Sequence, residues 1–154
     1  MSIERASAHL AKYGLAEKIR EFTESSATVA LAAERLGCEP ARIAKTLSFL
    51  VEDHAILVVA AGDVKVDNPK YKAQFHTKAK MLSPEQAVEL VGHAVGGVCP
   101  FGVKDGVKVY LDESLKRFTT VFPAVGTAAS AIELTIPELE AASEYEAWVD
   151  VTKN

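Results

Sequence analysis

The chain has 154 residues, 49% of them apolar and 25% charged, and a formal charge of −4 at pH 7. That size and balance fit one globular domain, residues 1–154, with a sizeable core, and argue against a general DNA-coating protein. No apolar run reaches the roughly 18 residues that span a bilayer, and two cysteines are too few for a disulfide framework. The start, Met1-Ser2-Ile3-Glu4-Arg5, lacks the basic-then-apolar layout of a secretory signal. A cytoplasmic setting with no membrane partner is expected.

Residues 2–13 carry Ile3, Ala6, Leu10 and Tyr13 on one stripe of a helix that Gly14 stops. Glu17–Phe22 reads as a short strand. Ser25 or Ser26 caps a second helix through Val29, Ala32, Ala33 and Leu36, ended by Gly37. Pro40 suits a first helical turn before the strand Ile43–Val51, which turns at Glu52-Asp53-His54 and returns as Ala55–Ala61. An irregular lysine-bearing segment follows, with a short helix near Tyr71. Ser83-Pro84-Glu85-Gln86 is a helix start with N-cap, N1 proline and N3 glutamine, and Gly92 ends that helix. Lys104–Leu111 reads as a hairpin arm about Asp105-Gly106, and Asp112 caps a turn through Arg117. Strands at Phe118–Phe122 and Ala131–Thr135, a helix opened by Thr135 and Pro137, and a strand near Ala147–Val151 complete the chain. Strands outnumber βαβ units, so the expected class is α+β: a mixed, largely antiparallel, barrel-like sheet with helices around it.

Lys45 is out of place in this pattern. Ile43, Lys45, Leu47, Phe49 and Val51 share one strand face, while Ala44, Thr46, Ser48 and Leu50 share the other. The small and hydroxylic residues lie on the second face, so the first is expected to be the buried one. An ammonium among Ile, Leu and Phe must snorkel out, pair with an anion or line a wet pocket.

The segment Gly96-Gly97-Val98-Cys99-Pro100-Phe101-Gly102 is the second candidate feature. Adjacent glycines let backbone approach a ligand and aim N–H groups at a developing oxyanion; a tight connection between strands is the plainer reading. Cys99 is either a nucleophile with His93 near it in sequence or a small apolar group beside a pocket. His9, His54 and His76 read as surface residues, and Cys38 as structural. No P-loop, dinucleotide fingerprint or HExxH motif occurs, so neither a cofactor nor a metal site is expected. Lys65, Lys70, Lys72, Lys78 and Lys80 face only Asp67, whereas Glu133–Asp150 has acids and no Lys or Arg. With Tyr71 and Phe75 interleaved, the basic stretch suits single-stranded RNA, or is simply a solvated loop.

Thr28-Val29-x-x-Ala32-Ala33-x-x-Leu36-Gly37, Ile43-x-Lys45-Thr46-Leu47, Ala61-Gly62-Asp63, the Gly96–Gly102 loop and Ile132-Glu133-Leu134 occur in that order. Together they resemble the YbaK/ProX group of aminoacyl-tRNA deacylases, relatives of the editing domain inserted in bacterial prolyl-tRNA synthetases. The resemblance covers essentially the whole chain. It implies a twisted barrel-like sheet and metal-free hydrolysis of a misacylated tRNA, commonly one for proline carrying a small wrong residue such as Cys or Ala. Prolyl-tRNA synthetase is then a candidate partner. It also implies that Lys45 is the key pocket lysine and that Gly97 belongs to the catalytic loop. Thr46, His93, Gly96, Val98, Cys99, Pro100 and Gly126 are expected around the substrate. Two positions depart from the family pattern: Cys99 stands where many relatives have Ser, and Gly126-Thr127-Ala128-Ala129-Ser130 lacks the usual later glycine. A Cys99-dependent (thio)ester hydrolase and a non-catalytic tRNA- or synthetase-binding module are the alternatives.

Overall fold

A computed structural model describes residues 2–23, 28–94 and 96–154. Helix α1 spans Ser2–Ala11, and strand β1 is only Arg20–Glu21, preceded by a 3-10 turn at Ala16–Lys18. Helix α2 runs Val29–Leu36; its N-cap is Thr28, whose hydroxyl accepts from the Leu31 amide, and Gly37 closes it at φ 69°. Ser25 and Ser26 lie outside the described residues. Strands β2 (Ile43–Val51) and β3 (His54–Ala61) form a hairpin, followed by β4 (Lys65–Val66) and helix α3 (Asn68–Phe75). The capping box at Ser83 forms, opening α4 at Pro84–Gln86, which widens into a π-turn over Ala87–Val91 before Gly92. Strands β5 (Lys108–Asp112), β6 (Thr120–Pro123), β7 (Ser130–Ala131) and β8 (Leu134–Thr135) follow. Helix α5 (Ile136–Ser143) and strands β9 (Ala147–Val149) and β10 (Thr152–Lys153) end the chain.

Six strands make one sheet in the order β8-β6-β2-β3-β5-β9, curled into a half-barrel. Among the described residues β1 pairs with β7 and β10 with β4 as two small antiparallel ladders. The eight-position β2–β3 ladder and the short β6–β8 ladder are antiparallel, whereas β2–β6, β3–β5 and β5–β9 pair in parallel. The class is therefore mixed α/β, as expected. The segment before β5 is not a hairpin arm: the Lys104 amide bonds to Val91 O, and β5 starts at Lys108 and runs parallel to β3. The strand expected at Ala131–Thr135 divides, because β7 pairs with β1 while β8 pairs with β6.

Burial on both sheet faces explains the continuous apolar run of β3. Leu57, Val59 and Ala61 join the main core with Leu10, Phe101, Leu115, Ile132 and Leu139. Ile56 and Val58 face the other way, into a smaller cluster with Phe49, Tyr71 and Val151. The same division corrects the expectation for β2. Phe49 is buried, but so is Ala44 on the opposite face, within the main core. A strand in mid-sheet, covered from both sides, has no solvent face to reveal by alternation.

Candidate active site

The two neighbours of β2 on its outer edge leave a gap. β6 pairs only with Ile43 and Ala44. Farther along, the Leu50 amide donates to Lys80 O at 2.8 Å and the Leu82 amide to Ser48 O at 3.1 Å. Between these contacts opens a cavity of about 430 Å³, within the range of small-molecule sites. Its walls are Val29, Ala32 and Leu36 of α2, Ile43–Thr46 and Ser48 of β2, and Met81, Leu82 and Pro84. Gly96 and Val98, with Phe122, Thr127, Ala128 and Ser130, also line it. The small side chains of Ala44, Thr46 and Ser48 help leave this space open.

Lys45 sits half-buried in that wall and donates its ammonium to the carbonyl of Val64. Burial lowers its pKa, and the Asp63 carboxylate opposes that fall. Asp63 is itself held by Arg117, with Nη2 at 2.6 Å and Nη1 at 3.0 Å, and this pairing keeps its pKa below the usual value. The Ala61–Val64 turn is pinned further: the Ala61 amide donates to Ser114 Oγ at 3.1 Å and the Gly62 amide to Ala41 O at 3.3 Å. A Cβ on Gly62 would lie 2.1 Å from Pro40 O, so only glycine fits. Thr46 Oγ1 is buried at the cavity with no hydrogen-bond partner, an acceptor and donor left over by the fold.

The glycine loop divides by what surrounds each residue. Gly96, at φ 93°, and Val98 line the cavity. Gly97 does not: its amide is already bonded to Ala94 O at 3.0 Å, and its Cα abuts the backbone of Gly126 and Thr127. A Cβ there would stand 2.4 Å from Gly126 O. Gly97 and Gly126 thus bring two cavity-wall loops together, whereas the Val98 amide has no bond among the described residues.

Four residues expected around a substrate do not line the cavity: Gly126, which backs Gly97, and His93, Cys99 and Pro100. Cys99 and His93 are fully buried, with Sγ and Nε2 3.6 Å apart and Nε2 2.7 Å from Phe101 O. Burial pushes the Cys99 thiol up to about 12 and lowers the His93 pKa. Burial holds Cys99 in its thiol form, whereas the attacking species of a cysteine nucleophile is the thiolate. Pro100 borders a separate, smaller cavity with His9, Lys12 and Glu144. Sequence reasoning missed Phe22, Met81 and Thr127 in the wall; nothing local marks them, because each arrives from a different part of the chain. Among the described residues no cluster of three or more His, Cys, Asp or Glu is placed to hold a metal ion, and no helix is long and apolar enough to cross a membrane.

The model of the aminoacyl-tRNA editing domain family matches residues 23–142. An uncharacterized Bacillus subtilis (strain 168) protein, YwhH, is 51% identical over 100% of this chain and 99% of its own length. The proline–tRNA ligase of Lactiplantibacillus plantarum is 27% identical over 84% of this chain, which spans only 22% of that ligase. In three dimensions the chain is similar to a crystal structure of a protein proposed as a trans-editing enzyme for prolyl tRNA synthetase. The TM-score is 0.89 at 30% identity, covering 99% of this chain and 98% of that one.

Proposed function

The chain belongs to the aminoacyl-tRNA editing domain family, and on that footing we propose that it removes wrong amino acids from tRNA by ester hydrolysis, acting in trans on tRNA for proline. The observation that carries the reading is Lys45, a half-buried cation in the wall of a cavity also lined by Gly96 and Val98. The aminoacyl ester enters beside Lys45, and water attacks its carbonyl carbon. Negative charge gathering on the carbonyl oxygen meets the Lys45 ammonium and the Val98 amide; one preorganised donor of this kind is worth about 10²–10³ in rate. The tetrahedral intermediate then expels the ribose oxygen, which takes a proton, releasing free amino acid and intact tRNA. Among the described residues no side chain at the cavity is a ready general base, and in this reading the neighbouring ribose hydroxyl of the substrate assists the water. Thr46 Oγ1 offers a hydrogen bond inside the cavity.

Apolar walls from Val29, Leu36, Ile43 and Phe122 favour a small side chain by exclusion. A single methylene changes binding by only about 1–3 kcal/mol, so a panel is needed to find the residue removed. The experiment incubates purified protein with tRNA for proline charged with Ala, Cys, Ser or Pro, and with Lys45→Ala in parallel. Faster loss of at least one wrong amino acid than in buffer, abolished in the variant with unchanged circular dichroism, supports the proposal. Binding of tRNA without loss of any ester would replace it with a binding module that recruits or assists prolyl-tRNA synthetase.

A further inference from the structure

The basic stretch between Lys65 and Lys80 is not used by the chemistry above, and the fold sorts its lysines. Lys70 is occupied, bonded to Asp150 at 3.1 Å and to Thr152 O at 2.9 Å. Lys65 lies in the β4–β10 ladder. Lys78 and Lys80 are different. They lie on the extended segment that runs antiparallel to the second half of β2, where Met81 bridges Phe49. Alternation points Ala79 into the Phe49–Tyr71 cluster and leaves Lys78 and Lys80 exposed. Neither forms an ion pair among the described residues. In extended chain the two ammonium stems are about 6.8 Å apart, a spacing set by two strand residues. The next two residues, Met81 and Leu82, are cavity wall, and Met81 is 59% exposed. The lysine track therefore ends at the mouth of the site.

We propose that Lys78 and Lys80 form a phosphate-binding rail that leads the single-stranded 3′ end of tRNA into the cavity. This rests on the deacylase reading, since it is that reading which places an RNA terminus in the cavity. A chain of net charge −4 repels RNA at long range, so a local pair of unopposed cations beside the opening is where the backbone phosphates are accommodated. Lysines on an exposed edge also discourage edge-to-edge pairing of strands, a role that requires no RNA. Salt dependence separates the two.

The test measures binding of uncharged tRNA for proline to wild type, Lys78→Ala/Lys80→Ala and the control Lys108→Ala, from 50 to 200 mM salt. Lys108 opens β5, two strands from β2. Each phosphate contact to a single strand contributes about 0.7 to the slope of log affinity against log salt, so the double variant should lose about 1.4 and the control nothing. Turnover of a 3′-aminoacyl-adenosine ester, too short to reach the rail, should be the same in all three proteins. An unchanged slope in the double variant overturns the rail even if the protein is a deacylase. Failure of wild type to cleave either ester overturns the deacylase reading instead, while the binding slope still reports on the rail.

Discussion

Arg117 grips Asp63 through both terminal nitrogens of its guanidinium, at 2.6 and 3.0 Å, and so fixes the turn whose Val64 carbonyl receives Lys45. The pair is exposed and adds little to stability by itself. Its effect is on position and charge: the turn holds the ammonium at the cavity wall, and the carboxylate sustains its protonation against burial.

Asp63→Asn should therefore move the pH profile of deacylation. Burial lowers the Lys45 pKa and Asp63 raises it, so removing the carboxylate charge lets the pKa fall further. Lys45 then loses its proton at lower pH, and the alkaline limb of the rate, after subtraction of hydrolysis in buffer, shifts downward. Arg117→Lys keeps a positive charge near Asp63 but loses the fork, and should lower the rate with a smaller shift. An alkaline limb unmoved by Asp63→Asn would mean that the charge on Lys45 is not what that limb reports.

Gly97→Ala inserts a methyl where Gly126 O, Gly126 C and Thr127 Cα all lie within 2.5 Å of its position. Backbone cannot swing aside as a side-chain tip can, so the two wall loops must separate. We expect a loss of about 1–3 kcal/mol in urea unfolding, and a fall in kcat/KM that exceeds the fall caused by equally destabilising changes far from the cavity.

Cys99 is predicted to be dispensable for chemistry. Cys99→Ser should retain most turnover while costing on the order of 1–3 kcal/mol, because a hydroxyl is buried in its place. In the native protein iodoacetamide should label Cys38, which is only partly buried, ahead of Cys99. Rapid loss of activity with label found on Cys99 would revive a thiol mechanism.

Thr135 and Glu138 form a reciprocal cap on α5: the Glu138 amide donates to Thr135 Oγ1 at 3.2 Å and the Thr135 amide to Glu138 Oε1 at 2.9 Å. Thr135→Ala should cost about 1 kcal/mol, seen as a fall in Tm of roughly 2–4 °C, with turnover at 25 °C unchanged.

Much of this fold was legible locally. The N-cap at Ser83 and the cap at Thr135 with Pro137 behind it are contained in a few adjacent residues and form as read; the Glu52-Asp53-His54 turn forms too, with His54 already paired to Val51 in the strand. Pairing partners were not legible. Lys104–Leu111 has the pattern of a hairpin arm, yet its strand adds in parallel to β3, because long-range packing decides which edge it meets.

For the site, sequence alone set the problem at position 45: an ammonium between Ile43 and Leu47 had to snorkel out, pair with an anion or line a wet pocket. It also determined that Gly96 and Gly97 mark a place of close backbone approach. What each approaches emerges from the folded chain: Val64 O and the Asp63 charge for Lys45, the opposing Gly126–Thr127 backbone for Gly97, and the cavity for Gly96. The fold also turned Cys99 and His93 inward, into the core. The reason is separation along the chain. The cavity is a gap between β6 and the Lys80–Leu82 segment on one edge of β2, and no stretch of neighbouring residues contains a gap between two others.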